Sequence, residues 1–401
     1  MGTCCIVGGG PAGMMLGFLL ARAGIEVLVL EKHADFLRDF RGDTVHPSTL
    51  EVMYELGLLE EFLKRPHQRQ VSQVRARIGG HEIVLGDMSR LSTHCRFMLV
   101  MPQWEFLNFL AEQARAYPAF HLKMETEVTG LIEENGRIAG VRATNATGPV
   151  EVRADLVVGA DGRNSVVRAC SRLAVDELGA PTDVLWMRLS KRPDDPDLFF
   201  YADRGKALFL TDRGEYWQCG FPVPKGNLEN MQAGGMEELR AGIVELAPFL
   251  RGRVTELRDW SDVKHLTVRA DCMPQWYRPG FLCIGDAAHA MSPVGGVGIN
   301  LAIQDAVAAA NILAGPLRRG SVSREDLAKV QRRRAFPTRV TQRIQGVIQS
   351  RITGRGLQHP GPTRLPWLLG LFEGTNLPCR LRTRVIAVGV RPEHVQTNRV
   401  V

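Results

Sequence analysis

The chain has 401 residues, 45% of them apolar and 23% charged, which allows two cooperating cores and excludes a disordered or low-complexity protein. Its eight cysteines form no Cys-x-x-Cys pair, and Cys4, Cys5 and Cys283 fall inside strand patterns. They read as small buried hydrophobes in a reducing compartment, which sets aside a disulfide framework and a zinc site. The net charge of +7 is uneven, with residues 317–401 carrying 17 basic against 4 acidic side chains.

In chain order, Cys4-Cys5-Ile6-Val7 reads as a buried strand that turns through Gly8-Gly9-Gly10-Pro11-Ala12-Gly13 into a helix over residues 14–23. A second strand, 27–30, ends on Glu31-Lys32, 18 residues after Gly13. Strand, glycine turn, helix and acid-tipped strand together form a dinucleotide fingerprint. Gly8 allows the tight turn, Gly10 lets a pyrophosphate approach the backbone, and Gly13 lets helix and strand pack closely. The helix N-terminus favours the phosphates, and Glu31 can accept from a ribose diol. A helix follows over 104–117, then short alternating strands, and then the apolar strand 155–159, which runs into Asp161-Gly162-Arg163.

From 182 to 268 the pattern changes to period two with aromatics, interrupted by a helix over 236–250, and predicts a mostly antiparallel sheet. A further buried strand ends in Gly285-Asp286, where an aspartate can bind a ribityl hydroxyl. The turn Pro293-Val294-Gly295-Gly296-Val297-Gly298-Ile299-Asn300 then opens a helix over 302–313, presenting N–H groups suited to a reduced flavin. The remainder is helical, starting at Ser323 and bent or broken beyond Pro337. No uninterrupted apolar run approaches a membrane span, so the chain reads as cytoplasmic. The basic C-terminal region, dominated by Arg332-Arg333-Arg334, Arg339, Arg343 and Arg351, reads as a solvated helix face or a peripheral contact for an acidic partner. No nucleic-acid recognition motif accompanies it.

Three strand-tip motifs in this order resemble the single-component flavin-dependent aromatic monooxygenases, the para-hydroxybenzoate hydroxylase-like family. The resemblance covers essentially the whole chain. It implies an α/β fold in which a three-layer, glutathione-reductase-like FAD domain (1–70, 101–181 and 269–320) carries an inserted β-sheet substrate domain (71–100 and 182–268) and a helical C-terminal region (321–401). It also implies FAD contacts at Arg41, at Gln103 and at the backbone of Val128. Asp161 and Gly162 would touch both FAD and a transient NADPH or NADH, and Asp286 would hold the ribityl chain. The implied activity is hydroxylation of a small aromatic, phenol- or quinone-precursor-like substrate with O2 through a flavin C4a-hydroperoxide. The protein would be a monomer or homodimer, binding no nucleic acid.

The sheet is expected to floor the substrate pocket, with Trp186, Tyr201, Phe209, Trp217 and Phe221 either lining it or filling the sheet core. Period two puts Phe199 and Tyr201 on one side, where Tyr201 is expected to face the flavin and orient the substrate. His46 is the first candidate base, with a core hydrogen bond as the alternative, and His289 reads as structural. A halogenase, an isoprenoid-chain reductase and a catalytically idle flavin protein remain as other readings, although a halogenase Trp-x-Trp-x-Ile-Pro box is missing.

Overall fold

The computed structural model describes residues 2–37, 44–349 and 376–400. Arg41, Arg351 and the apolar run 365–372 lie outside them. The central sheet has six strands. Its parallel core runs Phe281–Cys283, Leu156–Gly159, Thr3–Val7, Glu26–Leu30 and Phe120–Lys123, with Tyr277–Arg278 antiparallel at the edge. Cys4-Cys5-Ile6-Val7 is buried on both faces, as a parallel strand covered on both sides must be. Burial raises both thiols, Cys5 to about 12, so these cysteines act as hydrophobes.

The helices Pro11–Arg22 and Gly298–Arg318 pack against each other in the principal core. A three-stranded antiparallel sheet (Glu127–Glu134, Arg137–Asn145, Gly148–Arg153) makes the third layer. Among the described residues one helix, Val294–Arg318, is long and apolar enough to cross a membrane. Since 78% of its apolar window is buried inside the protein, it serves as the core helix.

The insert is a seven-stranded sheet in which the strands from Thr182 to Leu266 are joined by Gln73–Ile78 and His81–Asp87. Met98–Val100, expected in the insert, pairs instead with Thr44–Val45 and Arg69–Val71. The expected helix over 236–250 ends at Leu246, and Pro248 starts a separate 3-10 turn.

That helix covers one face of the sheet, and the cover corrects the expectation for Tyr201. Its side chain packs with Leu239 and Ile243 of the helix, 6.0 Å from the Phe249 ring. The hydroxyl is buried with no hydrogen-bond partner among the described residues, and burial pushes its pKa up to about 12. Phe199 lies in a bend before the strand and joins a different cluster, so the expected alternation is out of phase there. Trp217 and Phe221 also belong to the helix-covered core. Trp186 and Phe209 lie on the opposite face. There, Trp186, Gly220, Phe209 and Phe200 stand opposite one another in successive strands. A Cβ on Gly220 would meet the Trp186 indole at 2.9 Å, so the ring lies flat across that strand.

Pro337 does not break its helix, which runs unbroken from Arg324 to Gln349. Buried anchors on both sides hold it. Arg334 pairs with Asp305, Gln342 donates to the carbonyls of Asp271 and Ala290, and Thr341 donates to the Pro337 carbonyl. Arg334 is also a correction to the solvated arginine face: it is 1% exposed, and Arg332 and Arg333 pair with Glu325 and Glu393. Arg339 and Arg343 remain exposed.

Candidate active site

The fingerprint turn separates two kinds of glycine. Gly8 has φ +105°, and a Cβ there would lie 2.5 Å from the Ala160 carbonyl oxygen. A Cβ on Gly13 would sit 2.0 Å from the Gly8 carbonyl oxygen. Both positions therefore require glycine for the chain to pack against itself. Gly10 is different: its nearest neighbour would be Ala160 O at 4.0 Å, so the turn has open space on that side. Gly10 is the N-cap and makes no side-chain cap, while Pro11 occupies the first turn with its φ already helical. Together they leave helix N–H groups facing that open side, where an anion is favoured. Ala12 is buried behind them.

Glu31 is fixed beside this turn. Its Oε2 accepts from Gly9 N at 2.9 Å and its Oε1 from His33 N at 3.1 Å. Thr126 N donates to the Glu31 carbonyl at 2.9 Å, bringing Val128, two residues on, to the same end of the sheet. Lys32 is exposed, and Gln103 is half-buried at the first position of helix Gln103–Ala114.

The second tip also has a structural role. Asp161 accepts from Ser165 Oγ at 2.5 Å and Val166 N at 2.8 Å, so its carboxylate holds the start of helix Val166–Ser171. Burial raises its pKa against those donors. Beside it the backbone at Gly162 is open to a ligand, with φ +84° and free space at its Cβ position.

At the third tip, Asp286 Oδ2 lies 3.3 Å from Arg163 Nη2, linking two motifs 123 residues apart. The Nε and Nη1 atoms of Arg163 are buried and have no hydrogen-bond partner among the described residues. Arg168 reinforces the link, donating to the Arg163 and Ala287 carbonyls and pairing with Asp271 at 3.0 Å. No local sequence pattern encodes the Arg163–Asp286 pair, whose members lie 123 residues apart.

The glycine turn follows. Pro293 is exposed, while Gly295 and Gly296 have φ of +81° and +63°. A Cβ on Gly296 would lie 2.2 Å from Thr44 Oγ1. Helix Gly298–Arg318 starts without a side-chain cap, with Ile299 buried in its first turn. Asn300 is fully used by the chain. Its Oδ1 accepts from His46 N and Thr49 Oγ1, both at 2.8 Å, and its Nδ2 donates to the carbonyls of Thr44 and Gly296. Its side chain therefore has no further hydrogen bond to offer a flavin.

His46 is buried at the N-cap of helix Pro47–Glu55. Its Nδ1 lies 3.1 Å from the Ile386 carbonyl oxygen, which can only accept, so Nδ1 carries the ring hydrogen. Nε2 is left as a buried acceptor without a partner among the described residues. Burial outweighs that hydrogen bond and lowers the pKa to about 4, so the ring is neutral at physiological pH. His289 is structural: its Nε2 lies 2.5 Å from Asp305 Oδ2 inside the core.

An open glycine turn facing an uncapped helix, an acid at the adjacent strand tip, and an Arg163 guanidinium that keeps unsatisfied donors while reaching Asp286 at the third tip fit an FAD. This combination defines a flavin-dependent oxidoreductase of the dinucleotide-fold class. Residues 2–344 match the model of the FAD binding domain family, and the chain belongs to that family. It is 36% identical over 360 residues to 6-methylpretetramide 4-monooxygenase of Streptomyces rimosus, covering 88% of this chain and 85% of that one. It is 30% identical over 312 residues to rifampicin monooxygenase of Streptomyces venezuelae, covering 75% of this chain and 61% of the relative. Among solved structures, OxyS anhydrotetracycline hydroxylase from Streptomyces rimosus superposes with a TM-score of 0.76. That match covers 96% of this chain and 76% of the other at 22% identity, which makes it a likeness of fold.

Proposed function

We propose that this protein is an NAD(P)H- and FAD-dependent monooxygenase that hydroxylates a phenol- or quinone-precursor-like aromatic molecule. The observation that carries the reading is the open side of Gly10 before an uncapped helix, with Glu31 fixed alongside. Gly8, Gly10, Pro11, Ala12 and Gly13 would hold the pyrophosphate and Glu31 the adenosine ribose, flanked by Lys32, Gln103 and Val128. Asp286 and Arg163 would hold the ribityl chain. The backbone from Pro293 through Gly296, Gly298 and Ile299 to Asn300 would face the flavin ring edge, and Gly162 the cofactor at the second tip.

Bound FAD supplies the redox chemistry, taking a hydride from NADH or NADPH and activating O2. The protein's part is binding, orientation and exclusion of water. His46 is assigned the substrate hydroxyl. Neutral, with Nδ1 committed to Ile386, it can accept that hydroxyl's hydrogen bond at Nε2. Tyr201, packed under helix Met236–Leu246, takes no part in the chemistry. The aromatic row Trp186, Phe209 and Phe200 is the surface assigned to the substrate ring. Three strand spacings of about 4.8 Å favour an extended ring system over a single ring.

In this reading residues 1–71, 98–181 and 269–320 form the FAD unit, 72–97 and 182–268 the substrate unit, and 321–401 the cover. The protein acts in the cytoplasm as a monomer or homodimer, with Arg339 and Arg343 available for peripheral contact. The test combines flavin identification with turnover. Acid precipitation should release FAD and not FMN, and NAD(P)H oxidation should accelerate when a suitable aromatic compound is added. Release of FMN alone, or rates unchanged across a broad panel of phenols and polycyclic aromatics, would overturn the reading.

A further inference from the structure

Residues 391–400 run without regular structure as a strap over the dinucleotide unit. Glu55 accepts from Val395 N at 2.7 Å, Asn311 Oδ1 from Gln396 N at 2.9 Å, and Arg22 Nη1 donates to the Thr397 carbonyl at 2.6 Å. Glu393 points inward from the strap. It is 5% exposed and accepts from Arg333 Nε at 2.8 Å and Arg334 Nη1 at 3.3 Å. Arg334 Nε then donates to Asp305 Oδ1 at 2.9 Å.

Asp305 is fully buried, and its other oxygen accepts from the backbone N–H of Gly285 at 3.0 Å. Gly285 directly precedes Asp286. It has φ +59°, and a Cβ there would press on Ala12 at 3.1 Å and Ala302 at 3.3 Å. The fingerprint helix, the ribityl tip and the core helix therefore converge on one glycine. Glycine has little conformational preference of its own, so whatever grips its N–H sets its geometry. Here that grip is Asp305.

We infer that the C-terminal strap is a cofactor-retention element, in which Glu393 acts through Arg334 and Asp305 to hold the strand tip carrying Asp286. The inference rests on the FAD reading above. A buried cation deprived of one partner is costly and moves toward the other. Without Glu393, Arg334 is drawn fully onto the carboxylate that also grips Gly285, and the tip loosens. Glu393, Arg334 and Asp305 are thus positioning residues that act on the cofactor through Gly285.

The experiment titrates full-length apoprotein with FAD, following quenching of flavin fluorescence, and records the apoprotein Tm alongside. Glu393→Gln is compared with Arg22→Met, which cuts a strap contact outside the network. Glu393→Gln should raise the FAD Kd about 2- to 30-fold, the range for coupling through such networks. Arg22→Met should leave Kd within error, although both variants lower Tm. Asp305→Asn, if it folds, should raise Kd more than Glu393→Gln. An unchanged Kd in Glu393→Gln, or an equal rise in Arg22→Met, would overturn the inference. Wild-type protein that does not bind FAD would overturn the parent reading instead.

Discussion

Asn300 Oδ1 accepts the backbone N–H of His46 at 2.8 Å, and this bond ties the start of the core helix to the start of helix Pro47–Glu55. Two segments 254 residues apart in the chain thus share one amide side chain. Its position at the glycine turn makes it a structural clamp on the proposed flavin edge.

Replacing Asn300 with Ala leaves the His46 N–H and the Thr49 hydroxyl buried without their acceptor. At about 1–3 kcal/mol for each unmet group, the loss should be about 2–4 kcal/mol with partial relaxation. Urea unfolding of the holoprotein measures it, and a change under 1 kcal/mol, within the ordinary scatter of such effects, would show the clamp to be dispensable.

The two kinds of fingerprint glycine should behave differently. Gly13→Ala places a Cβ 2.0 Å from the Gly8 carbonyl oxygen, so the turn cannot close and soluble yield should fall. Gly10→Ala meets nothing nearer than 4.0 Å, so it should fold with a near-normal far-ultraviolet spectrum and yet purify with far less flavin. Full flavin occupancy in Gly10→Ala would mean that the pyrophosphate lies elsewhere.

Tyr201→Phe tests the corrected sheet face. Removing a buried hydroxyl that has no partner should leave stability unchanged or raise it by about 1 kcal/mol. NAD(P)H coupling should not change. Increased hydrogen peroxide yield in this variant would return Tyr201 to the pocket.

The fingerprint was legible in the sequence because its constraints are local: Gly8 and Gly13 touch each other within one turn. Tyr201 was not, because helix Met236–Leu246 covers the face it occupies, a contact that strand alternation does not encode. Arg334 looked like part of a solvated arginine run. Its burial depends on Asp305, 29 positions earlier, and Glu393, 59 positions later, a pairing that no local pattern encodes. The helix continues through Pro337 for the same reason, since anchors from distant segments hold it on both sides of the proline.

His46 makes a pH prediction. Its folded pKa of about 4 is below the ordinary value of 6.5, so the unfolded chain takes up the proton first. Stability is therefore intact above pH 6.5 and is lost as pH falls towards 4, by about 3 kcal/mol in all. Tm measured against pH should fall less steeply across this window in His46→Gln than in wild type. Parallel curves would contradict a neutral buried imidazole.

Turnover of an accepted aromatic substrate under isotopically labelled dioxygen tests the central claim most directly. The account predicts one labelled oxygen atom in the product for each coupled NAD(P)H oxidised. A product reduced or rearranged without labelled oxygen, from a protein that retains its FAD, would contradict it.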